Sequence, residues 1–128
     1  MNDHIYTLDT LKDQLAKMRM NGVKKGEWVG FDSLFDKYSL KRGSTTYVYA
    51  GAHQGKSQFA FEIMMNLSEF SGWKWAVYTP ETGSPAEVYA ELAWCYLRKP
   101  FLLNDRINAT DVDAEKALEF LNKHFYVI

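Results

Sequence analysis

Residues 50–57 read Ala-Gly-Ala-His-Gln-Gly-Lys-Ser: an Ala or Gly, four residues of any type, then Gly-Lys-Ser. That spacing suits phosphate chemistry. Successive backbone N–H groups can wrap phosphate oxygens, and a helix opening directly behind the loop adds its positive dipole end. Lys56 supplies a full charge, and the Ser57 hydroxyl is placed to meet a Mg²⁺ ion. Candidate nucleotide-binding residues are Ala50, Gly51, Ala52, His53, Gln54, Gly55, Lys56, Ser57 and Gln58, with His53 and Gln54 contributing chiefly through their backbone. The competing reading is an ordinary glycine-rich turn.

A second group with chemical capacity is Glu81. Trp75-Ala76-Val77-Tyr78 forms the centre of a predicted strand from Trp73 to Thr79, and Glu81 follows its carboxyl end. In open parallel α/β sheets, ligands sit at that edge. The same edge is therefore expected to present Lys56, Ser57 and Glu81. A carboxylate there could orient, or take a proton from, a water attacking a terminal phosphate. Alternatively, Glu81 is a solvated turn residue or an acidic group near the start of the next helix. Asp32 and Asp36 read as capping residues. His4 and His124 are remote from each other in sequence, and no metal-ligand spacing assembles.

These groups need a scaffold. Thr45-Thr46-Tyr47-Val48-Tyr49 is β-rich and predicts a strand through Ala50 leading into the loop; a helix from about Lys56 to Phe70 leads out, ending at Ser71-Gly72. Ser84-Pro85-Ala86-Glu87 opens another helix, with Ser84 as N-cap, Pro85 at the first position and Glu87 closing a capping box. That helix stops before Pro100. Asp111 or Asp113 starts a further helix, and Phe125-Tyr126-Val127-Ile128 predicts a short apolar strand. Alternating elements with near-continuous apolar strands predict an α/β fold of about three parallel strands, with helices on both faces.

At the other end, Thr7 or Asp9 caps a predicted helix from Leu8 to Met20. Leu8, Leu11, Leu15 and Met18 share one stripe, with Lys12, Asp13, Lys17 and Arg19 opposite. Asn21-Gly22 ends it. Val23 to Gly26 reads as a link, so residues 1–27 form one unit and 28–128 the other. The stripe either packs on its own domain or docks on a neighbouring subunit.

Composition narrows the classes. The chain has 128 residues, of which 47% are hydrophobic, and a formal net charge of −1. It suits one small globular domain, without the bulk basic field of a non-specific nucleic-acid binder. The single Cys95 lies in an apolar helical stretch and reads as a buried structural thiol. No apolar run reaches membrane-spanning length and Met1-Asn2-Asp3-His4 is no signal peptide, so a cytoplasmic location is expected.

Taken in order, Gly30-Phe31-Asp32-Ser33-Leu34, Leu40-Lys41-Arg42-Gly43-Ser44, the loop Ala50–Ser57, and a strand into Pro80-Glu81-Thr82 resemble RecA-like P-loop ATPases. Within these the chain looks most like the motor domain of DnaB-type replicative DNA helicases; RadA- and KaiC-like ATPases share the same opening. The resemblance spans about residues 28–128. It implies ATP as cofactor with Mg²⁺ held by Ser57, Lys56 and Glu81 as catalytic residues, and Glu81 as the base.

It also implies a ring of copies, hexameric in the family, assembled through Leu8–Met20. Further family features are a strand bearing a magnesium-coordinating Asp, DNA-binding loops and an arginine finger. Asp105, Asp111 and Asp113 follow no apolar strand and do not stand in for that Asp. DNA contact is thus expected only through other segments. The expectation is an ATP-binding part of a larger helicase motor, or a short homologue that borrows strands from a partner. Other readings are a non-enzymatic nucleotide-binding or helicase-associated regulatory module, and a small P-loop kinase. Pro80 stands where the family has an aliphatic residue, and it is placed to re-aim Glu81.

Overall fold

Helix starts are where local chemistry is most explicit, and the computed structural model, which describes residues 5–23, 25–103 and 109–128, places them accordingly. Helix α1 runs Leu8–Asn21 behind Thr7, whose N–H donates to Thr10 Oγ1 at 3.2 Å. Helix α2 (Lys56–Ser71) closes at Gly72, whose φ of +67° lets its N–H turn back onto the Ser68 carbonyl at 3.1 Å. Helix α3 (Pro85–Leu97) carries the complete capping box: Ser84 Oγ accepts from the Glu87 N–H, and the Glu87 carboxylate accepts from the Ser84 N–H. Helix α4 (Asp111–His124) starts at the first of the two expected residues and is capped by Thr110, with Asp113 returning the second bond. Bonds to the ionised form hold both carboxyls below their ordinary values: for Glu87 those from Ser84, and for Asp113 first the Lys99 ammonium 2.7 Å away, then Thr110.

Four short strands form two separate pairs among the described residues. β3 (Trp75–Val77) runs parallel to β4 (Phe125–Val127), with Trp75 opposite Phe125 and Val77 opposite Val127. β1 (Glu27–Trp28) runs antiparallel to β2 (Ser39–Leu40), with Glu27 opposite Leu40. A 3₁₀ turn at Asp32–Leu34 lies between them.

Helix α2 organises the core because it is buried on two sides. Phe61 and Met65 face Val77, Val88, Leu92, Ala117, Leu121 and Phe125, whereas Ile63 and Leu67 face Val29 and Trp73. Two residues along a helix turn by about 200°, so these stripes point in nearly opposite directions. Asn66 is buried between them and donates to the Val29 carbonyl at 3.1 Å. The neighbouring Gly30 has a φ of +90°, and a Cβ there would run into the Asn66 amide. Both geometry and space therefore require glycine at the start of the Gly30–Leu34 turn.

Three sequence expectations are corrected. The predicted strand Thr45–Ala50 makes no ladder: Tyr47 is 90% and Tyr49 101% exposed, and the parallel sheet has two strands rather than three. β propensity gives such residues an extended preference but no neighbour to bond. Secondly, the parallel pair is covered on one face. Val77 and Phe125 point into the core, while Ala76 and Tyr126 on the opposite face are exposed. Thirdly, the β1–β2 pair falls where no strand was expected, just after the Val23–Gly26 link. Strands of two residues carry no alternation from which to recognise them.

Among the described residues, no side chain of α1 is buried. Leu8, Leu15 and Met18 remain exposed along its stripe. No helix among the described residues is long and apolar enough to cross a membrane.

Candidate functional site

The loop before α2 is shaped by its backbone. Gly55 has φ +83° and His53 φ +56°, two left-handed residues in a tight turn. Gln54 folds back so that its Oε1 accepts from the Gly51 N–H at 3.0 Å, and a Cβ on Gly51 would press on that side chain. Lys56 and Ser57 then form the first turn of α2. Gly55 at the N-cap has no side chain to satisfy the first-turn amides. Those N–H groups and the positive end of a 16-residue helix dipole meet at one end, where Lys56 is exposed. The arrangement has the chemistry of an anion receptor.

Beyond β3, Pro80–Thr82 form a 3₁₀ turn. Pro80 is its first residue, and the Thr79 and Thr82 hydroxyls bond to each other across it. This turn presents Glu81 exposed at the carboxyl end of β3. Ser57 and Glu81 line the same cleft of about 460 Å³, whose floor comes from Ala60, Met64, Val77 and Thr79. Thr79 and Tyr78 belong to this cleft as well, although no motif marked them; their position at the end of a parallel strand is the one signal that could have done so.

Other candidates lie elsewhere. Lys56 does not line the cleft. The Gln58 amide turns toward α3, donating to Cys95 Sγ and Glu62 Oε1 at 3.3 Å each. Asp32 opens the Asp32–Leu34 turn and Asp36 sits just beyond it. The His124 ring lies 2.9 Å from the Phe120 carbonyl. His4 and Asp105 fall outside the described residues. Among those described, no group of three His, Cys, Asp or Glu side chains could hold a metal ion.

A second, larger cavity of about 590 Å³ opens between α2 and the unpaired 44–49 run. Its lining is apolar and aromatic, including Leu34, Tyr47, Phe59, Ile63 and Trp75. The run is tied to the domain by a bond between Tyr38 OH and Thr46 Oγ1 at 2.9 Å, and at its start Ser44 donates to the Lys41 carbonyl.

Cys95 is buried, and burial first, then the nearby Glu62 carboxylate, push its thiol up to about 11. The thiolate is the reactive form. The native protein is therefore expected to resist iodoacetamide at pH 8 and to take up one equivalent once unfolded. Rapid alkylation of the native chain, followed by mass spectrometry, would show that the thiol is accessible and ionised.

With this geometry described, the chain can be set beside known proteins. It is similar to the "Twinkle homolog protein, chloroplastic/mitochondrial" of Arabidopsis thaliana, at 28% identity over 116 residues. The matched region covers 86% of this chain but only 16% of that relative. No protein-family model matches the chain. No solved structure matches it.

Proposed function

We propose that this chain is the ATP-binding part of a DnaB-like replicative DNA helicase, with a RecA-like P-loop site. The helicase-related origin is supported by the likeness to the Arabidopsis Twinkle homolog protein. The observation that carries the site assignment is the shared cleft of Ser57 and Glu81, next to a helix N-terminus with no side-chain cap.

In this reading, the amides of Gly51–Ser57 and the Lys56 ammonium bind the phosphates of ATP. The Ser57 hydroxyl, exposed on the first turn of α2, fits one ligand position of Mg²⁺. When bound, that ion neutralises charge developing on the terminal phosphates. Glu81, which lines the same cleft, orients the attacking water and accepts its proton. The transition state also needs a cation beside the transferred phosphoryl group, which we assign to a neighbouring copy assembled through the exposed α1 stripe.

Replacing Glu81 by Gln tests this assignment, because the amide keeps the shape of the side chain but cannot accept the proton. In the longest native form of the protein, ATP binding should persist while turnover falls by about 10²–10⁴-fold. Unchanged turnover would remove Glu81 from the reaction.

A second reading draws on the unpaired Thr45–Ala50 run. It leaves the loop without a paired strand to brace it, as suits a non-enzymatic nucleotide-binding or helicase-associated regulatory module. In that case Glu81→Gln and Lys56→Ala would both leave the protein's role intact.

A further inference from the structure

The β1–β2 pairing brings together two basic stretches that lie well apart in sequence. With Glu27 opposite Leu40 and Trp28 opposite Ser39, the antiparallel pair is flanked by Lys25 and Gly26 on one segment and by Lys41 and Arg42 on the other. A Cβ on Gly26 would collide with the Leu40 carbonyl, so the two segments touch at this point. Lys25, Lys41 and Arg42 line one small cavity of about 190 Å³ together with Glu27 and Trp73. The Arg42 guanidinium lies over the Trp73 ring, 4.8 Å from its centroid. All three cations are exposed, and none forms a salt bridge among the described residues.

On the other side of Lys25 lies a second cavity, lined by Trp28, Phe35, Asp36, Lys37 and Tyr38. Its aromatic rings are presented to water. Trp28 stacks on Phe70, with centroids 5.7 Å apart and planes 5° from parallel, and meets Phe35 edge-on. Phe35 is 69% and Phe70 61% exposed. Across the two cavities, four cations stand against the two carboxylates Glu27 and Asp36. The cluster is a local positive field on a chain whose net charge is −1.

Phe70 lies in the last turn of α2, whose other end carries Lys56 and Ser57. At 1.5 Å per residue, the patch and the loop are separated by roughly 20 Å. The cations also sit near the negative end of the α2 dipole, which would favour them even without a ligand. The dipole gives no reason for the exposed rings beside them. A run of phosphates needs cations spaced along a surface, and unpaired bases need flat apolar faces on which to stack. Together these features favour a nucleic-acid strand over an acidic peptide, which has no use for the aromatic ledge.

We propose that the β1–β2 pair and the end of α2 form a binding surface for single-stranded nucleic acid, with phosphates on Lys25, Lys41 and Arg42 and a base on the Trp28, Phe35 and Phe70 ledge. This surface does not depend on the nucleotide reading. It would place nucleic-acid contact on this chain itself, where the sequence pointed to other segments.

The test is fluorescence anisotropy of a labelled oligothymidylate titrated with the purified chain at low salt, without nucleotide. Binding is expected, with affinity falling as salt rises at a log–log slope of about 2, for three phosphate contacts. The double variant Lys25→Gln/Lys41→Gln should lower the affinity about tenfold and flatten that slope. Phe35→Ala should weaken oligothymidylate binding but leave binding of polyglutamate, used as competitor, unaltered. Circular dichroism should be unchanged in both variants, since every replaced side chain is exposed. Absent binding at low salt, or equal affinity in the double variant, would overturn the proposal. Polyglutamate binding as tight as oligothymidylate, indifferent to Phe35→Ala, would also overturn it in favour of an acidic-peptide surface. Failure here leaves the nucleotide site untouched, because that site is read by ATP binding and Glu81→Gln.

Discussion

Replacing Lys56 by alanine is expected to weaken ATP binding by roughly 10- to 100-fold, the equivalent of losing one charge-assisted hydrogen bond of about 1.5–3 kcal/mol. Lys56 is the first residue of α2 and is exposed. Its ammonium is the one full positive charge in the sequence from Ala50 to Ser57. The backbone amides of the loop survive the change and retain part of the affinity. Folding should be almost unaffected, because alanine is a better helix former than lysine and no buried contact is removed. Titration with a fluorescent ATP analogue, beside a thermal melt of each protein, separates the two effects. If the variant binds the analogue as tightly as the parent does, the Gly55-Lys56-Ser57 turn is no phosphate site and the nucleotide reading fails with it.

The second large effect concerns stability, and adjacent residues of β4 provide it. Phe125 is 1% exposed, wedged among Met65, Val88, Leu92 and Leu121, and its carbonyl accepts from the Tyr89 hydroxyl at 3.0 Å. Truncation to alanine should cost about 3–5 kcal/mol, combining lost transfer energy with the cavity left behind. A domain of this kind has about 5–15 kcal/mol in total, so that variant is expected to be partly unfolded at 37 °C. Tyr126, next in the chain, is 57% exposed on the opposite face. Its alanine variant should lie within about 0.5 kcal/mol of the parent. Urea unfolding of the pair measures both. Similar losses at the two positions would show that the outer face of the parallel pair is covered in solution, as the sequence had suggested.

That contrast shows where sequence reasoning held and where it stopped. Ser84, Pro85 and Glu87 specify a helix start within four residues, and the structure forms that box. The start of α4 at Asp111 was legible too; its cap was not, because Thr110 and Asp113 together make a box that an isolated Asp does not reveal. β3 and β4 were recognisable as short apolar runs, β3 between two helices and β4 directly after α4. Which of their faces meets the core was not, because Trp75-Ala76-Val77 and Phe125-Tyr126-Val127 are apolar on both. At the candidate site, the loop residues and Glu81 were legible from type and order. The side-chain directions were not: Gln58 turns to Cys95, and Thr79 joins the cleft.

What the sequence alone determined are the features that depend on neighbours a few residues away: caps, glycine turns, helix stripes and the Gly55-Lys56-Ser57 step into α2. Their physics is local, since a hydrogen bond or a φ angle is satisfied within one turn. Only the tertiary structure decided that Thr45-Thr46-Tyr47-Val48-Tyr49 stays outside the sheet, and that Ser57 and Glu81 face one cleft. It also decided that Lys25 and Arg42 line one cavity. Each of these needs a partner distant in sequence. A strand is completed by the backbone beside it and a site by the groups that converge on it, and pairing and packing choose those neighbours.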